Sequence, residues 1–386
     1  MIRVAVLCVF VAACGASGPP PESPPSPPLP TEPIAGPAPA PEPPPTQEAF
    51  EGKPVPLAPV PPSAPCVVPS TLRVISSGTR NSIVDAVSLD GGSLSTRIVS
   101  DKTVTVAVYA TAAYGVLSFA QLDPRALAWS FDGKRQAIAD GNRVLLQADG
   151  ATEIIAGATA PASPPSPSVA GAEQASMSHD GRFLVLQGAP VVYDLAQKAR
   201  TELPAPPIAG GSEVVYRIDA TGHFLFAENS RVAFVGALLR AGTKVTVTWE
   251  ATSHGAQRTP DGATWLEVPR APFAQDWVPT FSIETAARGA IGGRSKALLP
   301  LRLGPKEPYA AAMCPGGNVV AVLAQGSLGF YATDTGKLLL KKGAKELGLP
   351  PMASSLLFVD GGRGLLVRAP PKEISLGLAA PPDGVR

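Results

Sequence analysis

Few side chains in this 386-residue chain could do chemistry. Four cysteines stand at 8, 14, 66 and 314, and three histidines at 179, 223 and 254. Thiols can be acylated, oxidised in pairs or bound to a metal. A metal needs ligands at set spacings, and no HxH, HExxH or Cys-x-x-Cys spacing occurs. His179 and His223 lie next to repeat turns, and all three histidines read as turn or surface residues. There is no G-x-S-x-G for a nucleophilic serine, and no G-x-x-x-x-G-K or G-x-G-x-x-G to cradle a phosphate. Carboxylates fall singly at turns, where Asp-Gly already accounts for them. The expectation is therefore no catalytic residue, no metal and no cofactor, with the cysteines carrying what chemistry there is.

The first two cysteines lie in a leader. Met1-Ile2-Arg3 supplies one positive charge, and residues 4–13 are apolar. A stretch of that length cannot cross a hydrocarbon core of about 30 Å at about 1.5 Å per residue. Charge, short apolar run and small residues form the layout of a secretory signal peptide. Val11-Ala12-Ala13-Cys14 resembles the bacterial lipobox. That resemblance implies cleavage before Cys14, loss of residues 1–13, and a diacylglyceryl group on the Cys14 thiol, usually with a further acyl chain on the new amino terminus. Two or more acyl chains make a stable anchor, at about 0.8 kcal/mol per buried CH2. An ordinary signal peptide with a chance cysteine is the alternative.

Residues 14–65 read as a disordered tether. Residues 15–65 hold 21 prolines, five glutamates, one lysine and a single aromatic, Phe50. Proline fixes φ and lacks an N–H, so extended polyproline II is expected, reaching on the order of 150 Å. Such a segment would hold a domain away from a membrane.

From Cys66 to residue 386 the composition changes to short Val-, Leu-, Ile- and Thr-rich runs between Gly, Asp, Asn and Pro turns. Period-two runs such as Lys244-Val245-Thr246-Val247-Thr248-Trp249 predict strands, and no convincing amphipathic helix appears. The apolar run 103–122 has the length of a membrane span, yet its β-branched residues and Tyr114-Gly115 read as two strands and a turn. A turn mark recurs: Ser130-Phe131-Asp132-Gly133, Ser178-His179-Asp180-Gly181, Thr259-Pro260-Asp261-Gly262, with weaker copies. The residues before the turn glycines are 90, 132, 180, 221, 261, 316 and 360, spaced by 42, 48, 41, 40, 55 and 44. A four-stranded propeller blade takes about 40–45 residues. Asp-Gly is read here as the positive-φ pair of a two-residue hairpin.

These marks, with the hairpin at Thr333-Asp334-Thr335-Gly336-Lys337, resemble the WD40-like repeats of TolB-type and quinoprotein-like propellers of bacterial extracytoplasmic proteins. The resemblance covers residues 70–386 and implies an all-β fold, a single β-propeller of seven four-stranded blades, with six or eight as alternatives. A closed ring would bring the chain's first strand beside its last blades. Cys66 and Cys314 would then flank that seam, either as a disulfide worth about 4–5 kcal/mol in the chain-entropy account or as two separate buried thiols. Pro-rich stretches at 157–171, 203–211 and 268–279 read as rim loops, and Phe273 and Trp277 in the last are candidate contacts. Trp129, Trp249 and Trp265 read as packing between blades.

Without Arg3 and the tether, the domain carries 30 basic and 26 acidic residues, and no basic stripe. That excludes a nucleic-acid binder of the usual strongly basic type. The expectation is a lipid-anchored protein of the cell envelope, outside the cytoplasm, on the outer membrane or surface if the cell is Gram-negative. Its propeller would be a non-catalytic platform for an envelope protein partner. The alternatives are a propeller that binds or degrades a small ligand or glycan through its rim loops or central channel, and a structural envelope protein with a spacing role.

Overall fold

The computed structural model describes Gly52, Lys53 and residues 60–379, apart from 80–81, 101–102, 112–114, 161–173, 189, 209–213, 230–231, 242–243, 253–255, 268–280, 286–294, 300–308, 351–352, 354 and 370–371. The chain divides into two units, Met1–Pro44, outside the described residues, and Pro45–Arg386. All that follows concerns the second.

Its strands form seven four-stranded antiparallel sheets. Sheet 1 holds β2 (Ser82–Val87), β3 (Ser93–Val99), β4 (Val104–Ala110) and β5 (Val116–Leu122). Sheet 2 holds β6 (Ala126–Trp129), β7 (Gln136–Asp140), β8 (Arg143–Ala148) and β9 (Ala151–Thr159). Sheet 3 holds β10 (Ala175–Met177), β11 (Phe183–Leu186), β12 (Val191–Asp194) and β13 (Ala199–Glu202). Sheet 4 holds β14 (Val215–Ile218), β15 (Phe224–Glu228), β16 (Ala233–Ala241) and β17 (Lys244–Thr252). Sheet 5 holds β18 (Gln257–Arg258), β19 (Thr264–Glu267), β20 (Ser282–Thr285) and β21 (Ser295–Leu298). Sheet 6 holds β22 (Tyr309–Met313), β23 (Val319–Ala324), β24 (Ser327–Ala332) and β25 (Leu338–Gly343).

Sheet 7 is built differently. It takes β26 (Ser355–Val359), β27 (Gly364–Ala369) and β28 (Lys372–Ala379) from the end of the chain, and its fourth strand is β1 (Thr71–Thr79). β1 lies antiparallel to β28, from Thr71 opposite Ala379 to Thr79 opposite Lys372. The run 103–122 is β4 and β5, as the sequence suggests, and no helix among the described residues is long and apolar enough to cross a membrane.

Strand position explains strand composition. The second strand of sheet 6 reads as an unbroken apolar run, with all six residues of β23 (VVAVLA) buried, whereas that of sheet 1, β3, buries Ser95, Thr96 and Arg97 and leaves Ile98 and Val99 exposed. Outer strands alternate, as in β17 with its polar, exposed threonines. Neighbouring sheets share apolar clusters. Leu127 and Ile155 of sheet 2 pack with Leu184 and Tyr193 of sheet 3, and Phe183 and Val185 with Tyr216 and Leu225 of sheet 4. Phe224 and Val235 meet Trp265 of sheet 5, and Leu266 and Ile283 meet Val320 and Tyr331 of sheet 6. Sheet 6 packs on sheet 7 through Phe330, Leu365 and Leu376. Val359 and Leu366 of sheet 7 pack with Leu94 of sheet 1, and Val104, Val106 and Leu122 with Ala126 of sheet 2.

Each of the seven turn marks joins the first strand of a sheet to its second. The strong copies share one construction. Ser130 Oγ donates to Asp132 Oδ1 (2.7 Å), Asp132 accepts the Lys134 N–H (3.1 Å), and Arg135 N–H donates to Ser130 Oγ (3.1 Å). Ser178 with Asp180 and Thr259 with Asp261 repeat it. These are not the two-residue hairpins expected from Asp-Gly. Six residues separate the strands at Ser130 and five at Ser178 and Thr259, and in the first of these turns only Gly133 takes a positive φ, of 73°. Hydroxyl and carboxylate close the turn because Ser and Asp side chains bond readily to backbone two residues on. The true two-residue positive-φ turns are Asp149-Gly150 (50° and 79°) and Gln325-Gly326 (51° and 65°).

Candidate functional site: a cavity at the first strands

First strands of six sheets, and the turn after the first strand of sheet 4, line two cavities that share His179. The smaller, about 150 Å³, is walled by sheets 1, 2 and 3 through Asp85, Ser95, Leu127, Trp129, Phe131 and Met177. The larger, about 360 Å³, is walled by sheets 1 and 3–7. Its apolar wall includes Leu89, Phe226, Met313, Leu357 and Phe358, and its polar groups include Ser88, Asp219, Thr221, Gln257, Arg258 and Thr259.

Arg258 and Asp219 both line the larger cavity. In the strong turns a hydroxyl residue stands first and Asp third. In sheet 4 the order is reversed, with Asp219 first and Thr221 third. Asp219 Oδ1 accepts the Phe224 N–H (2.6 Å), and Oδ2 accepts the Thr221 N–H (2.7 Å) and the Thr221 hydroxyl. The exchange thus puts a carboxylate where the other turns put a hydroxyl. That carboxylate forms an ion pair with Arg258 from β18 in the next sheet, and both side chains are buried, 8% and 5% exposed. The guanidinium lies 4.0 Å from the centre of the Phe224 ring and 6.0 Å from that of Phe226. It also donates to the Thr259 carbonyl (3.2 Å).

Burial alone would raise the Asp219 pKa, but the Arg258 charge and the Thr221 and Phe224 hydrogen bonds outweigh it and hold the carboxyl below its ordinary value. Burial pulls Arg258 down from its usual value, against the opposing charge of Asp219. The pair is a locked ion pair spanning sheets 4 and 5. His179 is half-buried, its ring 5.0 Å from that of Phe131, and burial lowers its pKa against the pull of Asp219 and Asp180. Its backbone N–H donates to the Ala220 carbonyl and its carbonyl accepts the Phe131 N–H, both at 3.0 Å, so sheets 2, 3 and 4 are stitched at this end. Side chains make further links. Gln257 donates to the Ala311 carbonyl (2.8 Å) and accepts the Met313 N–H (2.9 Å), joining sheets 5 and 6.

Cys66 and Cys314 are disulfide-bonded, with Cα atoms 6.3 Å apart. Cys314 is the first residue of the turn in sheet 6, and Cys66 lies five residues before β1. Cys14, Phe273, Trp277 and His254 lie outside the described residues. Trp265 is fully buried between sheets 4 and 5, and Trp249 donates to the Pro204 carbonyl (2.8 Å). Among the described residues no group of three or more His, Cys, Asp or Glu is placed to hold a metal ion. The sequence reading missed Arg258 and Asp219, whose one signal was the exchanged order of Asp219 and Thr221.

Seven four-stranded antiparallel sheets fit a β-propeller of the WD40-like type. No protein-family model and no curated protein sequence matches the chain. Among solved structures, hydrazine synthase of Kuenenia stuttgartiensis is similar at 15% identity over 73% of this chain and 90% of that one, with a TM-score of 0.40. A chain of a mitotic checkpoint complex is similar at 13% identity over 85% of this chain and 100% of that one, with a TM-score of 0.45.

Proposed function

We propose that this protein is a lipid-anchored, extracytoplasmic interaction platform: Cys14 carries the acyl chains, the Pro-rich tether spaces the domain from the membrane, and the seven sheets close into one seven-bladed ring that receives a protein partner of the cell envelope. The larger cavity carries the reading. It combines an apolar wall with a few fixed polar groups around Arg258, the composition of a recognition site for a short inserted segment. Pairing of β1 with β28 supports closure of the ring. The lipobox resemblance and the proline content of residues 15–65 support the anchor and tether.

A photo-reactive residue in place of Leu89, in cells that carry the natural membranes, tests the platform. Reproducible cross-linking to one envelope protein, lost when Phe226→Asp fills the cavity wall with charge, is the expected result. Labelling with a fatty-acid analogue tests the anchor, and Cys14→Ala is expected to lose label and membrane fractionation together. A small ligand or glycan is the second reading, favoured by the cavity's volume of about 360 Å³, which lies in the range of small-molecule sites. A cavity variant that loses ligand binding without losing any cross-link would favour it.

A further inference from the structure

The outer strand of sheet 1 differs from every other outer strand of the domain. β1 carries Arg73, β9 Glu153, β13 Arg200 and Glu202, β17 Lys244 and Glu250, β21 Lys296, and β25 Lys341 and Lys342. β5 reads Val116-Leu117-Ser118-Phe119-Ala120-Gln121-Leu122, with no charge. An outer strand presents unpaired backbone N–H and C=O groups, and charge is the usual guard against another strand adding to it. β5 lacks that guard and is apolar as well. Phe119 is 74% exposed, Leu117 61% and Val116 58%.

The surroundings match. Ile98 and Val99 at the end of β3, on the same sheet, are also exposed. On sheet 7, Ile75 of β1 is 64% exposed and lies over Gly377, on the face opposite the one by which Leu376 packs on sheet 6. That face is the one turned to sheet 1, where Leu366 packs with Leu94. The outer flank of sheet 1 and the adjoining flank of sheet 7 thus bring Ile75, Ile98, Val116, Leu117 and Phe119, all exposed, to one side.

We propose that this flank is a self-association surface, on which β5 of one copy pairs antiparallel with β5 of a second copy about a two-fold axis. Charge decides the occupant. A strand bearing Lys, Arg, Asp or Glu would meet no counter-charge on β5, whereas a second β5 brings none. Antiparallel pairing about a two-fold is self-complementary, so one uncharged strand suffices for both halves of the interface. With the two-fold at Ser118, beside the register shift that β5 carries at Leu117, Ser118 of each copy stands opposite Ser118 of the other and Phe119 of each packs on the apolar start of the other's β5. The flanking Ile75 and Ile98 extend the contact toward the roughly 800 Å² per partner of a standard interface. The inference is independent of what occupies the cavity.

Sedimentation velocity of the purified full chain tests it. A concentration-dependent dimer is expected in the micromolar range, and Phe119→Lys is expected to raise its dissociation constant at least tenfold with an unchanged urea midpoint. Ser118→Lys and Ser118→Glu, each monomeric alone, are expected to re-form a dimer when mixed, because each Lys then faces a Glu across the two-fold. A wild-type chain that stays monomeric, a dimer untouched by Phe119→Lys, or mixed Ser118 variants that stay apart would each overturn the proposal. A different protein captured on β5 by a monomeric chain would overturn it too.

Discussion

The side-chain amide of Asn318 grips the backbone of Cys66 from both sides. Its Oδ1 accepts the Cys66 N–H at 2.8 Å, and its Nδ2 donates to the Cys66 carbonyl at 2.9 Å, across 252 residues of sequence. The disulfide to Cys314 lies four residues away in the same turn. Asn318 thus sets the backbone that the disulfide ties, and the segment before β1 is fastened to sheet 6 as well as to β28. Asn318→Ala leaves two backbone groups of Cys66 unpaired and is expected to cost about 1–3 kcal/mol in urea denaturation. Cys66→Ala with Cys314→Ala is expected to cost about 2–5 kcal/mol. An Asn318→Ala chain as stable as the wild type would show that water replaces the grip.

The buried ion pair makes a sharper prediction. Arg258→Met strands the Asp219 carboxylate in a site sealed by Phe224 and is expected to destabilise by about 3–5 kcal/mol. Removing both charges with Arg258→Met and Asp219→Ser restores the hydroxyl of the other turns and should recover part of that loss. Thermal unfolding of the two single variants and the double variant would give the coupling directly.

His179 sets a pH dependence. Its pKa in the fold lies below the ordinary value of about 6.5, so the unfolded chain binds more protons in the interval between the two. Stability is therefore expected to rise with pH up to about 7 and to be lost as pH falls through the unfolded pKa. Asp219, also depressed, adds a loss of the same sign only at more acid pH, below its unfolded value of about 3.9. His179→Gln is expected to flatten the curve just below about pH 7 without altering the acid limb. An unchanged curve would place the dependence elsewhere.

Gly362 and Gly150 separate backbone strain from crowding. Both take positive φ, 84° and 79°. A Cβ on Gly150 would meet open space, whereas one on Gly362 would strike Cys66. Gly150→Ala is expected to cost about 1–2 kcal/mol from the left-handed backbone alone. Gly362→Ala is expected to cost a further 1–3 kcal/mol or so by displacing Cys66. Urea midpoints of the two variants measure the difference.

The seven sheets were legible because the turn between first and second strands is closed by local side chains. Ser130 with Asp132 and Ser178 with Asp180 need nothing beyond their own six residues, so the pattern survives in the chain as a visible repeat. The fourth strand of sheet 7 was legible only as the consequence of a ring, since nothing in Thr71–Thr79 names β28 as its partner. The ion pair was hidden because Asp219 and Arg258 stand in different repeats and each reads locally as an ordinary turn or strand residue. The missing charge on β5 is plain in the letters, but its meaning depends on β5 being outermost, which the sheet order alone reveals.

The loan of β1 to sheet 7 imposes an order on folding at the ribosome. β1 is the earliest strand of the domain to be synthesised, yet its hydrogen-bonded neighbour β28 is the last, some 300 residues later. Until β28 emerges, β1 has no sheet to join. A product that stops short of residue 372 would present both Thr71–Thr79 and the outer side of β27 as unsatisfied edges, the features that recruit chaperones and seed aggregation. Completion of sheet 7 thus acts as a test of full-length synthesis, passed only when the two ends of the domain meet.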